Sequence, residues 1–296
     1  MEVAETKVRN RQLWYIAWAL IIVGALMAGL QAIQNQGPKI SWRYVPMDGH
    51  RIQSAPVNAS NIPQALGVFE GDAYVAPSGA RYAPDSPVAE VARELIDAQS
   101  TLAPLKIVIG HSSEMLLNLR TDPDLPLGNL VADALRDYGS RYFKVPMDFA
   151  ITNFGGIRIP MPEGDVTLED IDSMFPFKNY VCWCKMTGAS LLRLFNQLAL
   201  TQAFQAISGA TVRVKDHKVE SALIGGKEID PARVYNVTTI DFLLDGGDQL
   251  NIGALSEDVV LTHVLLRDVM LDYVRGCEAR GEKVSGRADG RVIMED

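Results

Sequence analysis

From Pro104 onwards, the pattern of apolar and polar residues predicts strands that alternate with helices. Short apolar runs that end at turn residues are typical of strands, as in MDFAIT at 147–152 and YVCWCKM at 180–186. Apolar residues three and four positions apart are typical of amphipathic helices, as in LGNLVADALRDYGSR at 127–141. Because both kinds of element recur in one stretch, the pattern predicts a single α+β domain, a mixed α/β fold, over residues 104–296.

Local signals add detail to this domain. Thr167 and Asp170 have the spacing of a capping box, which predicts that a short helix begins there. ATVRVKDHKVESALI at 210–224 predicts a hairpin that turns at residues 215–218. THVLLRDVMLDYVRGCEARG at 262–281 predicts the last long helix, and GRVIM after it predicts a closing strand.

The N-terminus has a different pattern. Residues 13–33, LWYIAWALIIVGALMAGLQAI, are almost entirely apolar and follow three basic residues. About 20 apolar residues suffice to cross a bilayer, and basic residues favour the cytoplasmic side, so this stretch predicts a transmembrane signal-anchor with residues 1–12 in the cytoplasm. A cleaved signal peptide is the alternative. With either one, the main domain is expected outside the cytoplasm, in the periplasm or at the cell surface, membrane-anchored through 13–33 or secreted.

Residues 34–103 have neither pattern. Prolines are scattered there among glycine, serine, asparagine and alanine, and no periodicity is sustained. This composition predicts an extended arm or linker with turns, which closes in a short helix around Val88–Gln99.

Composition and charge narrow the function classes. A hydrophobic content of 48% with 22% charged residues is typical of a globular protein. The net charge of −8 and the pI near 5.1 argue against nucleic acid as a partner, because nucleic-acid-binding proteins usually carry a basic face. The three cysteines are too few for a disulfide framework, and we interpret them as small core residues.

Three loops next to predicted strands share a composition that suits ligand binding. They are TNFGGIR at 152–158, MFPFKNY at 174–180 and DFLLDGGDQ at 241–249. Glycine lets a backbone approach a ligand closely, aromatic rings stack on flat groups, and an arginine fork suits phosphate or carboxylate. A purely structural interpretation is also open: the glycines would form turns, the phenylalanines would lie in the core, and the polar residues would pair locally.

Four sequence blocks together resemble the C-terminal domain of the 5′-nucleotidase family. The blocks LGNLVADAL, NFGGIR, GDVTLEDIDSMFPFKN and DFLLDGGD occur in the family order within roughly residues 105–293. In that family, this domain binds the nucleoside, while an N-terminal calcineurin-like domain holds two metal ions and cleaves the phosphate ester. The resemblance therefore implies a nucleoside or nucleoside monophosphate as the ligand.

The resemblance also implies which residues bind this ligand. They are Asn153, Gly155, Gly156, Arg158, Phe177, Asn179, Phe242, Gly247 and Asp248. By family analogy, the two phenylalanines would sandwich the base, and the two asparagines would contact it. The arginine would lie at the phosphate–ribose region, and the aspartate would hold the ribose hydroxyls. One departure lies next to this set, since Gln249-Leu250 replaces the family's usual glycine–aromatic pair.

The chain lacks the pattern of a two-metal phosphoesterase. Such a centre needs several histidines and carboxylates around two ions about 3.5–4 Å apart, whereas this sequence has four histidines in all. Asp48-Gly49-His50 fits Asp-x-His, but no Gly-Asn-His follows it, and we interpret the match as chance. We therefore expect no catalytic residue and no metal or cofactor in this chain.

These observations lead to one hypothesis and two alternatives. The chain is expected to be the nucleoside- or nucleotide-binding half of a split 5′-nucleotidase-type phosphohydrolase in nucleotide catabolism. A separate calcineurin-like metallophosphoesterase would carry two divalent metal ions and perform the hydrolysis. The first alternative is an exported nucleoside-binding module without catalytic function. The second is an exported structural protein that keeps the fold without the ligand, although the presence of Phe177, Phe242, Asn153 and Asp248 argues against it.

Overall fold

The computed structural model describes residues 61–119, 123–200 and 204–295, and the fold is presented for these residues. The predicted membrane segment at 13–33, the first part of the predicted arm and the Asp48-Gly49-His50 match lie outside them. Within the described ranges, every helix is too short or too polar to span a bilayer.

A small antiparallel sheet comes first in the described part of the chain. It consists of β1 (Val68–Glu70), β2 (Ala73–Val75) and β3 (Arg81–Tyr82). Helix α1 (Ile62–Leu66) precedes this sheet and α2 (Pro87–Leu102) follows it, and Tyr74 packs against two alanines of α2 in a small core of its own. The helix predicted around 88–99 is therefore present, but the region before it is not simply extended. Strands of two or three residues are too short to produce an alternating pattern, so the sequence did not reveal them.

Five strands form the main sheet. They are β5 (Phe149–Thr152), β7 (Tyr180–Thr187), β8 (Ala206–Ser208), β12 (Val234–Ile240) and β13 (Asp258–Leu265). They lie in the order β13–β7–β12–β5–β8. Strands β5 and β12 are parallel, and the other neighbouring pairs are antiparallel. Because β5 and β12 are parallel, their C-terminal ends meet at one edge of the sheet.

Helices cover both faces of this sheet. The helices of the domain are α3 (Pro126–Phe143), α4 (Leu168–Met174), α5 (Gly188–Leu200), α6 (Ile252–Leu255) and α7 (Leu266–Ala279). On one face, the ring of Phe149 from β5 lies 5.3 Å from the ring of Phe195 in α5. On the other face, Thr238 of β12 lies so close to Gly139 of α3 that a Cβ there would overlap it. All four residues of β5 are consequently buried, which explains its continuous apolar run.

Two smaller sheets complete the domain. Strands β4 (Val108–Ser112) and β6 (Gly164–Thr167) form an antiparallel pair. The second sheet consists of β9 (Ala210–Lys215), β10 (Lys218–Ile224), β11 (Lys227–Glu228) and β14 (Val292–Glu295). The predicted hairpin is confirmed, since β9 and β10 turn at Asp216 and His217, both in the left-handed backbone conformation. The predicted closing strand is β14, which pairs in parallel with β9.

The structure confirms a mixed α/β fold and corrects one element. The capping box is present, because the Thr167 hydroxyl accepts a hydrogen bond from the Asp170 amide and the Asp170 carboxylate accepts one from the Thr167 amide. The last long helix begins at Leu266 rather than at Thr262, whose hydroxyl donates to the Val181 carbonyl 2.8 Å away. Residues 262–265 instead belong to β13, in which Leu265 pairs with Tyr180 of β7 beyond an irregularity after Leu261, so contacts with β7 override the helical spacing of this stretch.

The interpretation of the cysteines as core residues is confirmed. Cys182, Cys184 and Cys277 are all buried and unpaired. Burial raises the pKa of the Cys182 thiol to about 12 and that of the Cys184 thiol to about 11. At neutral pH both thiols are therefore protonated, which makes them poor nucleophiles and poor metal ligands.

Candidate functional site

Sheet topology brings the three glycine- and aromatic-containing loops to one edge. The loop at 152–158 follows β5, and the loop at 241–249 follows β12, whose end lies beside that of β5. The loop at 174–180 leads into β7, which runs antiparallel to β12 and therefore begins at the same edge. The Asp241 carboxylate joins the last two loops, because one of its oxygens accepts hydrogen bonds of 2.9 Å from the Tyr180 and Phe242 amides.

The two phenylalanines predicted to stack on a base are exposed to solvent. Phe177 is 49% exposed and Phe242 is 43% exposed, whereas Phe154 and Phe175 beside them are buried. Burying a phenylalanine completely is favourable by about 1.5–3 kcal/mol, and these two rings forgo much of that gain. The structure therefore contradicts the interpretation of Phe177 and Phe242 as core residues, because about half of each ring faces solvent.

Arg158 connects the first loop to the second. Its guanidinium carbon lies 5.7 Å from the centroid of the Phe177 ring, within range of a cation–π contact. Its Nη1 donates to the Gly155 carbonyl at 3.2 Å, and its backbone amide donates to the Met174 carbonyl at 2.9 Å. The side chain is exposed, and no carboxylate of a described residue forms an ion pair with it. A cationic fork is thus held beside an exposed aromatic ring.

Asp248 is held by two side chains from other parts of the chain. The Asn153 amide nitrogen, Nδ2, donates to Asp248 Oδ2 at 2.8 Å. Gln205 Nε2 lies 3.4 Å from the same oxygen, while Gln205 Oε1 accepts a 3.1 Å hydrogen bond from the Phe154 amide. Asn153 and Gln205 are only 4% and 8% exposed, whereas Asp248 itself is exposed. The Asp248 carboxylate therefore lies at the surface and is hydrogen-bonded from below by two buried amide side chains.

The sequence did not identify Gln205. It directly precedes β8, in the otherwise apolar stretch FQAIS at 204–208. A lone buried amide beside a buried strand needs hydrogen-bond partners, because an unpaired buried polar group is costly. That polar interruption is the signal that marks the position, although it does not reveal the partner.

The glycines of the loops allow close contacts that a side chain would prevent. A Cβ at Gly247 would overlap the Phe242 carbonyl, and a Cβ at Gly156 would lie 2.7 Å from Asn153 Oδ1. A Cβ at Gly155 would lie 3.2 Å from Asn153 Nδ2. The glycines thus let the loop backbones pack directly against residues of the candidate site.

Asn179 completes the set that the sequence predicted. It is partly exposed and directly precedes β7, and its carbonyl accepts a 2.9 Å hydrogen bond from the Leu266 amide. All nine predicted residues thus lie in the three loops at this edge of the main sheet. Their residue types provide aromatic surface, amides, a cation and a carboxylate.

The histidines of the described region serve other contacts. His111 lies between Asp165 and Glu278, at 3.3 Å and 2.9 Å, and His263 packs edge-on against Tyr180. Across residues 61–119, 123–200 and 204–295, no group of three or more histidines, cysteines and carboxylates is arranged to hold a metal ion.

A comparison with protein families identifies the domain. The family model described as 5′-nucleotidase, C-terminal domain, matches residues 108–255, half of the chain. The chain belongs to this family. All four sequence blocks that carried the resemblance lie within the matched range, so that prediction is confirmed.

Two curated relatives of this chain are considerably longer than the segment that matches it. A 5′-nucleotidase of Vibrio cholerae is 31% identical over 151 residues, which are 49% of this chain and 26% of that protein. The cell wall protein Lmo0130 of Listeria monocytogenes is 26% identical over 266 residues, covering 80% of this chain and 33% of that protein. The chain thus spans about a quarter to a third of these curated relatives.

A solved structure supports the fold. The crystal structure of a 5′-nucleotidase precursor from Thermus thermophilus superposes with a TM-score of 0.60 at 21% identity. The match covers 76% of this chain and 50% of that chain. The similarity therefore extends beyond residues 108–255 and accounts for half of the solved protein.

Proposed function

We propose that residues 104–296 bind a nucleoside or a nucleoside monophosphate in the three loops at the edge of the main sheet. The observation that carries this proposal is the exposure of Phe177 and Phe242, two large rings left in solvent beside a cation and a carboxylate. An exposed aromatic ring can stack on a base, an interaction worth about 1–3 kcal/mol. The site offers a matching group for each part of such a ligand.

Each polar group of the site suits one part of a nucleoside monophosphate. The Arg158 guanidinium, which pairs with no carboxylate of the described residues, can form paired hydrogen bonds with a phosphate. The exposed Asp248 carboxylate can accept hydrogen bonds from the ribose hydroxyls. The family resemblance assigns contacts with the base to Asn179 and Asn153. Membership in the 5′-nucleotidase family supports this class of ligand.

We assign hydrolysis to a second protein. These loops bind and orient a ligand, whereas cleavage of the phosphate ester needs an activated water such as a metal-bound hydroxide. In the proposed arrangement, a separate calcineurin-like metallophosphoesterase supplies two divalent metal ions, and the two chains act together in nucleotide catabolism. In the alternative, the chain is an exported nucleoside-binding module that acts without a catalytic partner.

Calorimetry on the full-length protein tests the binding step. We expect adenosine and AMP to bind equally well with and without a chelator, since the proposed contacts include no metal. The double variant Phe177→Ala/Phe242→Ala serves as the control and should not bind. If the wild-type protein binds neither ligand, the proposed function is wrong.

Phosphate release separates the two versions of the proposal. The chain alone should release no phosphate from AMP, and adding the metallophosphoesterase partner should start the reaction. A partner that is equally active without this chain would favour the non-catalytic binding module. Metal-dependent turnover by the purified chain alone would contradict the assignment of hydrolysis to a second protein.

We also propose that the domain lies outside the cytoplasm, attached through residues 13–33. The apolar character of this segment and the basic residues before it support the proposal, and one relative is named a cell wall protein. Cell fractionation with a C-terminal tag should find the chain in the membrane fraction or the exported fraction. Full-length protein that is soluble in the cytoplasm would exclude this location.

A further inference from the structure

The backbone at Asp248 has a conformation that needs external support. Asp248 has φ 50° and ψ 32°, and Gln249 has φ 62°, so two consecutive non-glycine residues are left-handed. L-amino acids rarely adopt this region, because the Cβ approaches the backbone closely there. Such a conformation persists when the surrounding structure holds it, and it often marks a functional position.

Two buried amides provide this support. A carboxylate can only accept hydrogen bonds, so Asn153 and Gln205 must both direct their NH₂ groups at Asp248 Oδ2. The remaining oxygen of Gln205 accepts from the Phe154 amide at 3.1 Å. Asp248 Oδ1 accepts no hydrogen bond from a described residue, so the supported carboxylate keeps one oxygen available at the surface.

Both ends of the Asn153 amide face the protein. Its Nδ2 is engaged by Asp248, and its Oδ1 is buried against Gly156 with no hydrogen-bond partner among the described residues. The whole residue is only 4% exposed. Neither end of the amide is therefore presented to a base that enters from solvent between the exposed loops.

We infer that Asn153 and Gln205 are positioning residues that act through Asp248, so that they set the preference for ribose and leave the choice of base unchanged. This inference rests on the proposed function and replaces the base contact that the family resemblance assigns to Asn153. With Oδ2 fixed by two donors, the carboxylate presents Oδ1 in one orientation before the ligand arrives. A preorganised acceptor loses less conformational freedom on binding, so it favours a ligand with both ribose hydroxyls.

The test compares three ligands on the full-length protein. Calorimetry would give the affinities of adenosine, 2′-deoxyadenosine and inosine for the wild type, Asp248→Ala, Asn153→Ala and Gln205→Ala. We expect Asp248→Ala to reduce the preference for adenosine over 2′-deoxyadenosine about tenfold or more, since a hydrogen bond to a charged group is lost. Asn153→Ala and Gln205→Ala should reduce the same preference, and the ratio of adenosine to inosine affinity should stay as in the wild type.

Asn129→Ala is a matched control for loss of a buried amide. Asn129 also donates from Nδ2 to a carboxylate, Asp124 Oδ1, at 2.7 Å, and its own Oδ1 is likewise buried without a partner among the described residues. Its Nδ2 bonds go to Asp124 and to the Arg287 carbonyl, away from Asp248. We expect Asn129→Ala to leave both affinity ratios unchanged, whatever it does to stability.

Hydrogen exchange on the free protein gives a readout that needs no ligand. The Gln249 and Leu250 amides donate to Gly246 and Gly247 carbonyls at 3.1 Å and 2.9 Å, which closes the turn around Asp248. Asn153→Ala and Gln205→Ala should accelerate exchange of these two amides, and Asn129→Ala should not. Unchanged exchange in both variants would show that the amides do not hold the loop.

The variant Asn153→Asp tests whether position 153 acts through the charge of the Asp248 carboxylate. It places a second carboxylate against Asp248 in place of the amide donor, and two like charges in contact repel each other. The ribose preference should be lost at neutral pH and should recover when the pH is lowered far enough for the two carboxyl groups to share a proton. A merely structural role for Asn153 predicts no such recovery.

The outcomes separate failure of this inference from failure of the proposed function. If the wild type binds no nucleoside, the proposed function is wrong. If Asp248→Ala lowers the ribose preference but neither amide variant does, the positioning role is wrong. If Asn153→Ala changes the ratio of adenosine to inosine affinity while the ribose preference is kept, Asn153 contacts the base directly and the inference is overturned.

Discussion

Replacing Phe177 or Phe242 with alanine distinguishes a ligand-binding ring from a packing ring. The two rings are 49% and 43% exposed, so each buries only about half of its surface in the folded protein. Because complete burial of a phenylalanine contributes about 1.5–3 kcal/mol, half of that gives a loss of roughly 1 kcal/mol in unfolding free energy for either variant. Truncation of a fully buried phenylalanine costs about 3–5 kcal/mol.

The loss of affinity should be larger than the loss of stability. Stacking of one base on one ring is worth about 1–3 kcal/mol, so each variant should bind adenosine roughly 5- to 150-fold more weakly. Phe177→Ala also removes the cation–π contact with Arg158, worth about 0.5–1 kcal/mol at an exposed position, and should therefore affect AMP more than Phe242→Ala does.

Unfolding and calorimetry on the same preparations provide the measurement. Phe149→Ala is the matched control, because Phe149 is fully buried in β5 and should cost about 3–5 kcal/mol of stability. The reasoning fails if Phe177→Ala and Phe242→Ala are as destabilising as this control while the folded fraction binds adenosine normally. The rings would then pack in the core of the protein in solution, and the loops at the sheet edge would be turns.

Two further predictions concern the charged residues. Arg158→Ala should weaken AMP binding more than adenosine binding, because the guanidinium acts mainly on the anionic phosphate, and equal losses in calorimetry would contradict this role. The hydrogen bond from Arg291 lowers the pKa of Asp289, so the pair contributes stability above the unfolded-state pKa of about 3.9 and loses it as the pH falls through the lower folded-state pKa. Asp289→Asn should therefore unfold more easily than the wild type at pH 7, and denaturant titrations should show this difference shrinking as the pH falls through the folded-state pKa of Asp289.

Local sequence signals predicted those elements that depend on near neighbours in the chain. The capping box connects Thr167 with Asp170, three residues later. The hairpin at 215–218 needs only a turn between two strands with alternating apolar residues. The four buried residues of β5 also left a direct signal, because a strand covered on both faces has an apolar run without alternation. The same information placed the nine candidate residues in three separate loops.

Long-range pairing explains what the sequence could not predict. Asn153 and Asp248 are 95 residues apart, and Gln205 and Asp248 are 43 residues apart, so no spacing rule connects them. The helical spacing predicts that the last helix begins at Thr262, but it begins at Leu266 for the same reason. Residues 262–265 have helical spacing, but Thr262 and Leu265 contact the strand β7, which lies about 80 residues earlier in the chain, and the stretch is therefore part of the sheet.

The two halves of the candidate site differ in how firmly the protein holds them. Phe177, Phe242 and Arg158 are exposed, and a ring accepts any base because every base has a flat face. Asp248 is exposed too, but its carboxylate rests on two buried amides and has a defined orientation before a ligand binds. Discrimination by hydrogen bonds is strongest where the protein group is fixed, since a fixed group cannot adjust to a ligand that lacks the matching donor. We therefore expect this site to be tolerant of the base and selective for the sugar.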